Sequence, residues 1–416
     1  MGGSGRRGSG GARGGGGPGA EPETPVARAL AASLYTDADD DGALDTGASL
    51  LAAADPGPAG SELLRRGEEY VRRAWERGWL PADLDREARR QGLDPAARTA
   101  LAELTAAELA RYGNGLSPQW RRRLDALDAP AWAGIGGRDR FARATAVLQA
   151  LRLLLRLPAL EPLGPPPGTR PATAAAAAPP SPGAAPQDRM LGRIRALLAK
   201  AEATGYPPEA EALTAKAQEL MARHSVDEAQ VAAGRAGAAD GPGARRISVD
   251  PPYETAKAIL LDAVARANRC QAVWNEELAF STVVGHEADL EPAELLYTSL
   301  LVQAATAMSR AEAAQRAGGR KRTKTFRQSF MLAYAHRVGD RLAETARAAT
   351  DTAAAADLLP VLATRDLAVT EETRRLFPRT TTTRVRGADD RAGWDDGTAA
   401  ADRAGVDGHR GRIDRG

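Results

Sequence analysis

Residues 188–224 read DRMLGRIRALLAKAEATGYPPEAEALTAKAQELMARH, and this stretch decides the fold of the second half of the chain. On each side of the break at Gly205 and Pro207–Pro208, apolar residues recur three or four positions apart, as they do along one face of an α-helix. The pattern predicts two amphipathic helices joined by a short turn. The two apolar series are Met190, Ile194, Leu197, Leu198 and Ala201, then Ala210, Leu213, Ala217, Leu220 and Met221.

This helical hairpin, predicted over 188–232, is too small to be stable alone, so we expect it to pack against another part of the chain. A Gly/Ala-rich linker is predicted over 233–246, an α+β domain over 247–408, and a flexible tail over 409–416. Strands are expected at Arg246–Val249, Gln271–Trp274, Phe280–Val284 and Val361–Thr364. Helices are expected at 253–268, from Pro292 to about 315, and at 324–355, 370–377 and 393–404.

The chain before the hairpin divides into three segments by composition. Residues 1–25 begin with a Gly/Arg-rich run that cannot bury a core, so we expect a disordered tail. Residues 26–157 carry helical spacing throughout and predict an all-α module. Ten prolines and nine alanines among residues 158–187 indicate an extended linker. The predicted fold class is therefore mainly α: a helical N-terminal module, a helical hairpin and a small α+β C-terminal domain.

Composition excludes several classes of protein. The 416 residues carry a net charge of +2, and the single cysteine, Cys270, allows neither an internal disulfide nor a cysteine-based zinc cluster. No apolar stretch is long enough to span a membrane, and the Gly-rich start lacks the apolar segment of a secretory signal. We therefore expect a cytoplasmic protein. The 51 arginines against five lysines are explained by a GC-rich genome, so arginine content alone says little about function.

The hairpin carries a recognisable pattern. Residues 194–201 (IRALLAKA), 208–210 (PEA) and 216–224 (KAQELMARH) resemble the bacterial and phage family called domain of unknown function 2786. The segments Pro252–Tyr253, 281–285 and 296–300, with later matches at 327–330 and 397–404, look like the companion domain that usually follows it. The resemblance implies an architecture and no activity, so it assigns no catalytic residue.

A basic segment at one predicted helix junction is the strongest electrostatic feature. Residues 310–347 hold ten basic residues against three acidic ones, whereas residues 250–300 hold nine acidic against three basic. The junction mixes charge with hydroxyl and amide groups, which suits phosphate contacts. We expect a buried stripe of Phe326, Phe330, Tyr334 and Val338 to turn Arg337 and Arg341 outward. The candidate nucleic-acid contacts are Arg320, Lys321, Arg322, Lys324 and Arg327. The alternative is a solvated basic face.

A second candidate site follows the third strand, where His286, Glu287 and Asp289 bring imidazole and carboxylate groups close together in sequence. These groups could act in acid–base chemistry. No metal site and no cofactor are predicted. The run Asp37–Asp45 resembles a calcium-binding loop, but Ala48 stands where the bidentate carboxylate should be, so a mobile acidic loop is the interpretation.

Polar residues of the hairpin form a third candidate. Lys200 and Glu209 flank the turn and could pair across it, while His224 is expected at the end of the second helix, where the helix dipole favours a cation. These residues either cap and connect the two helices or present a surface for a protein partner. The set is Lys200, Glu209, Gln218, Arg223 and His224.

The motifs favour a binding protein over an enzyme. Neither a phosphate-binding Walker loop nor the Gly-x-Ser-x-Gly motif of serine hydrolases is present. The leading hypothesis is a non-enzymatic cytoplasmic protein that binds nucleic acid at the basic junction. The alternatives are an enzyme acting on nucleic acid with a site near His286 and Asp289, or a protein–protein scaffold. Oligomeric state cannot be derived from the sequence.

Overall fold

The computed structural model contains two compact units, one formed by the chain up to residue 172 and one by the chain after it. The fold is mainly helical, as predicted, with three strands confined to the second unit in the part of the chain described here. The residues that the structure describes are 24–35, 41–125, 127, 129–169, 184–204, 206–234, 241–319, 324–354, 359–381 and 389–404.

The first unit is all helical, as the spacing predicts. Prolines open five of its helices, where a missing N–H costs no hydrogen bond, and Thr24, Asp55 and Asp94 accept capping bonds from the backbone. The helices are α1 Pro25–Leu34, α2 Asp41–Ala53, α3 Pro56–Glu76, α4 Pro81–Arg90, α5 Pro95–Ala110, α6 Pro118–Asp125 and α7 Arg140–Arg156.

The first part of the predicted proline-rich linker is packed against the first unit. The indole N–H of Trp79 donates to the carbonyl of Pro158 at 2.7 Å, and that of Trp120 donates to Pro165 at 3.1 Å. Gly78 has φ +87°, and a Cβ there would lie 2.5 Å from the carbonyl oxygen of Leu160. Residues 158–169 are therefore attached to the module and do not act as a free linker, because the indole donors supply partners for their backbone.

The calcium-loop resemblance has no structural counterpart among the described residues. Asp41 begins α2, and Asp45 lies in the same helix, so residues 41–48 form neither the predicted mobile loop nor a metal-binding loop. Ala48 and Leu51 are fully buried, and this apolar face explains why the segment is helical. The preceding positions 36–40 lie outside the described residues, as do 1–23 of the predicted tail and 405–416 at the other end.

The second unit combines the hairpin with an α+β arrangement. Its three strands form an antiparallel sheet in the order β1-β3-β2, and every residue of the central strand is buried. Its elements are α8 Ala184–Ala203, α9 Pro207–Gly234, β1 Gly243–Ser248, α10 Glu254–Ala267, β2 Gln271–Asn275, β3 Phe280–Gly285, α11 Glu287–Ala317, α12 Lys324–Ala354, α13 Leu359–Leu376 and α14 Arg391–Asp402.

The hairpin shares one hydrophobic core with the α+β elements. Ile194 of α8 and Met221 of α9 belong to the same buried cluster as Leu260, Leu300 and Phe330. This packing meets the expectation that so small a hairpin needs a partner surface.

The predicted strand at Val361–Thr364 is wrong, because these residues form part of α13. Leu362, Val369, Thr373 and Leu376 are its buried positions, and they fall at helical spacing. Val369 and Leu376 pack on Val284 of the central strand. A helix covering the sheet buries these side chains, which outweighs the local preference of a short β-branched run.

Two other boundaries differ from prediction. Helix α11 begins at Glu287, five residues before Pro292, and Pro292 lies inside it. Glu287 and Asp289 in the first turn favour this earlier start because carboxylates stabilise the positive end of a helix dipole. Strand β1 begins at Gly243, within the predicted linker 233–246, because its backbone pairs with β3 from Gly243 onward.

Candidate functional site

The basic junction lies between the two longest helices of the second unit. Helix α11 ends at Ala317, Gly319 has φ +90°, and α12 begins at Lys324, which is exposed. Of the candidate contact residues, Lys324 and Arg327 are described by the structure, whereas Arg320, Lys321 and Arg322 lie outside the described residues. The junction thus places an exposed lysine at the start of a 31-residue helix.

A buried acid on α11 holds two arginines of this region. Glu312, with 7% of its side chain exposed, accepts hydrogen bonds from Arg316 at 2.8 Å and from Arg327 Nε at 2.9 Å. The bond to Glu312 raises the pKa of Arg327 above its ordinary value. Arg327 is therefore fixed in place by an ion pair across the junction, and its side chain remains 39% exposed.

The predicted apolar stripe on α12 is confirmed, but its outward consequence is only partly correct. Phe326, Phe330 and Tyr334 are buried. Arg341, expected to face outward, is 2% exposed and donates to the backbone carbonyl of Ala401 in α14. Sequence spacing could not reveal this because α14 covers the flank of α12 that a solitary helix would expose. Arg337 is paired with Asp402 at 2.5 Å.

The three neighbouring residues of the second candidate site point to different partners. His286 is the N-cap residue of α11. Glu287 is 63% exposed and lies 3.4 Å from Arg245, whereas Asp289 is almost fully buried. Proximity in sequence therefore does not create a shared site among these residues, because the first turn of a helix directs successive side chains to different sides.

Asp289 instead belongs to a buried polar cluster that sequence reasoning missed. Its carboxylate lies 3.4 Å from Arg365 of α13, and Ser225 and His224 of α9 are its other neighbours. Burial raises the pKa of Asp289, while the nearby serine hydroxyl and cations oppose that shift. No local motif marks this cluster, because Arg365 is 76 residues away along the chain.

The chemistry available to this cluster is limited. Burial also raises the pKa of Cys270, which keeps its sulfur a neutral thiol rather than a nucleophilic thiolate. Within the described residues no group of three or more histidine, cysteine, aspartate or glutamate side chains is placed to hold a metal ion. The same part of the chain contains no helix with the length and apolar character needed to cross a membrane.

The hairpin candidates separate into exposed and buried residues. Lys200 and Glu209 pair across the turn at 3.0 Å, as expected, and hydrogen bonds from Thr204 and then Lys200 lower the pKa of Glu209. Arg223 is exposed and pairs with Glu219 at 3.2 Å. Gln218 and His224, however, are 2% and 5% exposed. These two residues face the α+β elements, so they cannot contribute to an exposed partner surface.

His224 does not end its helix, contrary to prediction. Helix α9 continues ten residues further, to Gly234, because its later part packs on α13, with Ala229 and Leu362 buried together. Neither ring nitrogen of His224 has a hydrogen-bond partner within the described residues.

A polar cavity of about 350 Å³ adjoins the buried cluster. Gln218 and Ser225 of α9 line one side, and residues of the α10–β2 corner and of α13 line the other. Arg269, at φ +56°, donates to Asp366 at 2.8 Å across this cavity. Because its main charged groups are already paired, the cavity offers no uncompensated charge for catalysis.

Comparison with known proteins identifies one segment of the chain. Residues 189–228 match the family model described as "Protein of unknown function (DUF2786)", so the hairpin of α8 and α9 is a DUF2786 domain. No curated protein and no solved structure matches the chain. No companion domain is identified after the hairpin.

Proposed function

We propose that this chain is a non-enzymatic nucleic-acid-binding protein whose phosphate contacts lie at the junction of α11 and α12. The observation that carries the proposal is the local charge: residues 310–327 contain seven basic residues and one acid, Glu312. Cations concentrated on one short segment provide the sequence-independent attraction on which polynucleotide binding depends.

The surrounding structure supports this use of the charge. Arg316 and Arg327 are held by the same buried carboxylate, so their guanidinium groups need less ordering when a ligand binds. The basic loop leads directly into the N-terminus of α12, where backbone N–H groups and the helix dipole favour anions. Phe326, buried two residues after Lys324, anchors this end of the helix in the core.

The absence of an enzymatic role in the proposal rests on the dispersal of the acid–base candidates. Glu287 and Asp289 are engaged by Arg245 and Arg365 respectively, and their side chains do not converge with His286 on one cleft. We therefore do not extend the alternative of a nucleic-acid-acting enzyme at this position.

The salt dependence of oligonucleotide binding tests the proposal. Replacing Arg320, Lys321, Arg322 and Lys324 together with alanine is expected to weaken binding at low salt. Each lost phosphate contact should reduce the slope of log K against log salt concentration by about 0.7–0.9. Fluorescence anisotropy of a labelled oligonucleotide over a salt series measures both quantities.

A matched control removes the same number of charges elsewhere. Arg73, Arg89, Arg375 and Arg391 are each more than half exposed and pair with a carboxylate on their own helix. Their joint replacement with alanine should leave the slope unchanged. No binding by the unmodified protein at low salt, or equal loss in both quadruple variants, would contradict the proposal.

A further inference from the structure

A second cavity, of about 420 Å³, begins one turn before the basic junction. It lies between the turn of the DUF2786 hairpin, the C-terminal half of α11, and α14. Its volume falls within the range of about 300–1,000 Å³ typical of small-molecule sites. The walls are formed mainly by small side chains, among them Ala201, Ala210, Ala307, Ala311 and Ala400.

One buried hydroxyl in this lining has no partner. Tyr334 of α12 lines the cavity and is 1% exposed, and its phenol oxygen makes no hydrogen bond within the described residues. Burial raises the pKa of Tyr334, so the group is a neutral O–H donor at physiological pH. A buried polar group without a partner costs stability, and a ligand that accepts this bond would remove the cost.

The rest of the lining supplies a polar edge and a charged rim. Gln303 and Thr306 of α11 contribute polar groups, and the Gln303 amide is oriented by donating to Thr214 at 3.1 Å. Arg310 and Arg403 lie among the lining residues, together with the acids Glu202 and Asp396. Asp396 already accepts a hydrogen bond from Gln315 at 3.2 Å.

We propose that this cavity receives one unpaired base of a single strand whose phosphates contact the basic junction. The inference rests on the proposed function and specifies how the strand is held. A base has two flat apolar faces that fit between alanine-lined walls, and its edge carries acceptors for the Tyr334 hydroxyl. Arg310 is close enough in sequence to the junction to meet the phosphate next to that base. Recognition of this kind tolerates any base, because every base has a π-face.

Two pairs of variants isolate the cavity. Tyr334→Phe removes only the hydroxyl, and its control is Tyr297→Phe, since the Tyr297 hydroxyl is also buried without a partner but does not line this cavity. Ala307→Leu fills the cavity from a half-buried position, and its control is Ala305→Leu, at an exposed position of the same helix.

Binding of the full chain to a fluorescein-labelled single strand of mixed sequence, in DNA and RNA forms, is the measurement. Loss of one hydrogen bond should weaken binding of Tyr334→Phe about fivefold. Ala307→Leu should weaken it about tenfold or more, because the base must leave the cavity. Both variants should keep the salt slope of the unmodified protein, and both controls should bind as it does.

Abasic strands and stability complete the test. An abasic strand of equal length should bind the unmodified protein and the two cavity variants equally. Because Tyr334→Phe removes an unsatisfied buried hydroxyl, its Tm should not fall.

Failure of this inference is distinguishable from failure of the proposed function. If both cavity variants bind the intact strand as the unmodified protein does, while the junction variant loses salt slope, the base site is wrong and the phosphate contacts stand. If the unmodified protein binds no single strand, or the junction variant is unaffected, both ideas are wrong.

Discussion

Replacing Arg365 with methionine is expected to lower the free energy of unfolding of the second unit by about 3–5 kcal/mol at pH 7. The side chains of Arg365 and Asp289 are 12% and 2% exposed, and their charged groups lie 3.4 Å apart. Removing the cation leaves a buried carboxylate without its counter-ion, which is far more costly than losing an exposed pair. Native-state hydrogen exchange of peptides from β3 and α11 in the full chain would measure the change.

The size of this effect should depend on pH, with a sign that follows from burial. The pKa of Asp289 is already raised by burial, so its contribution to stability is fully present below the unfolded pKa of about 3.9 and is lost as pH rises through the higher folded value. Removing Arg365 raises that folded pKa further. The deficit of Arg365→Met should therefore shrink as the pH is lowered and the carboxyl becomes neutral.

Two comparisons make this prediction specific. Arg375 lies on the same helix, is 63% exposed and pairs with Glu372, so Arg375→Met should change stability by less than about 1 kcal/mol. The double variant Arg365→Met with Asp289→Asn should recover part of the loss, since no buried charge remains. Equal effects of the two arginine variants, or a deficit independent of pH, would show that Asp289 and Arg365 are not coupled as described.

Replacing Gly397 with alanine is the second change for which we expect a large effect, a destabilisation of about 3 kcal/mol. A Cβ at this position would lie 2.3 Å from the carbonyl oxygen of Phe330 and 2.9 Å from its Cα. Gly393, one turn earlier, faces the backbone of Phe326 in the same way. Because backbone atoms of α12 cannot move aside like a side chain, α14 must shift away from its partner helix.

Gly192 provides the matched control for this substitution. It also lies inside a helix, α8, but a Cβ there would have no neighbour within 4 Å. Gly192→Ala should stabilise the protein by about 0.5–1 kcal/mol through helix propensity alone. Urea titrations followed by hydrogen exchange would compare the two variants, and a neutral or stabilising Gly397→Ala would show that α12 and α14 are not in backbone contact.

Much of the secondary structure could be predicted because its signals are local. The apolar spacing of 188–224 marked both hairpin helices, and the alternation at 271–275 and 280–285 marked two strands of the sheet. The helices of the first unit were marked by proline and capping residues. The buried stripe beginning at Phe326 was also readable, since a helix repeats its orientation every three to four residues.

The candidate sites were predictable only in part. A charge count locates the basic junction without knowledge of the fold. The same count could not show that Glu312 engages Arg316 and Arg327, or that Arg341 is covered by α14. Whether a charged side chain meets solvent, an opposite charge or a backbone carbonyl depends on elements distant in the chain.

The sequence by itself determined the helical hairpin, the mainly helical class and the segregation of basic from acidic segments. Tertiary structure alone decided that residues 361–364 are helical, that Asp289 meets Arg365, and that small side chains from three helices enclose a cavity beneath Tyr334. The physical reason is range. Periodicity and capping act within a few residues, whereas burial, ion pairing and cavity shape arise only when segments far apart in sequence pack together.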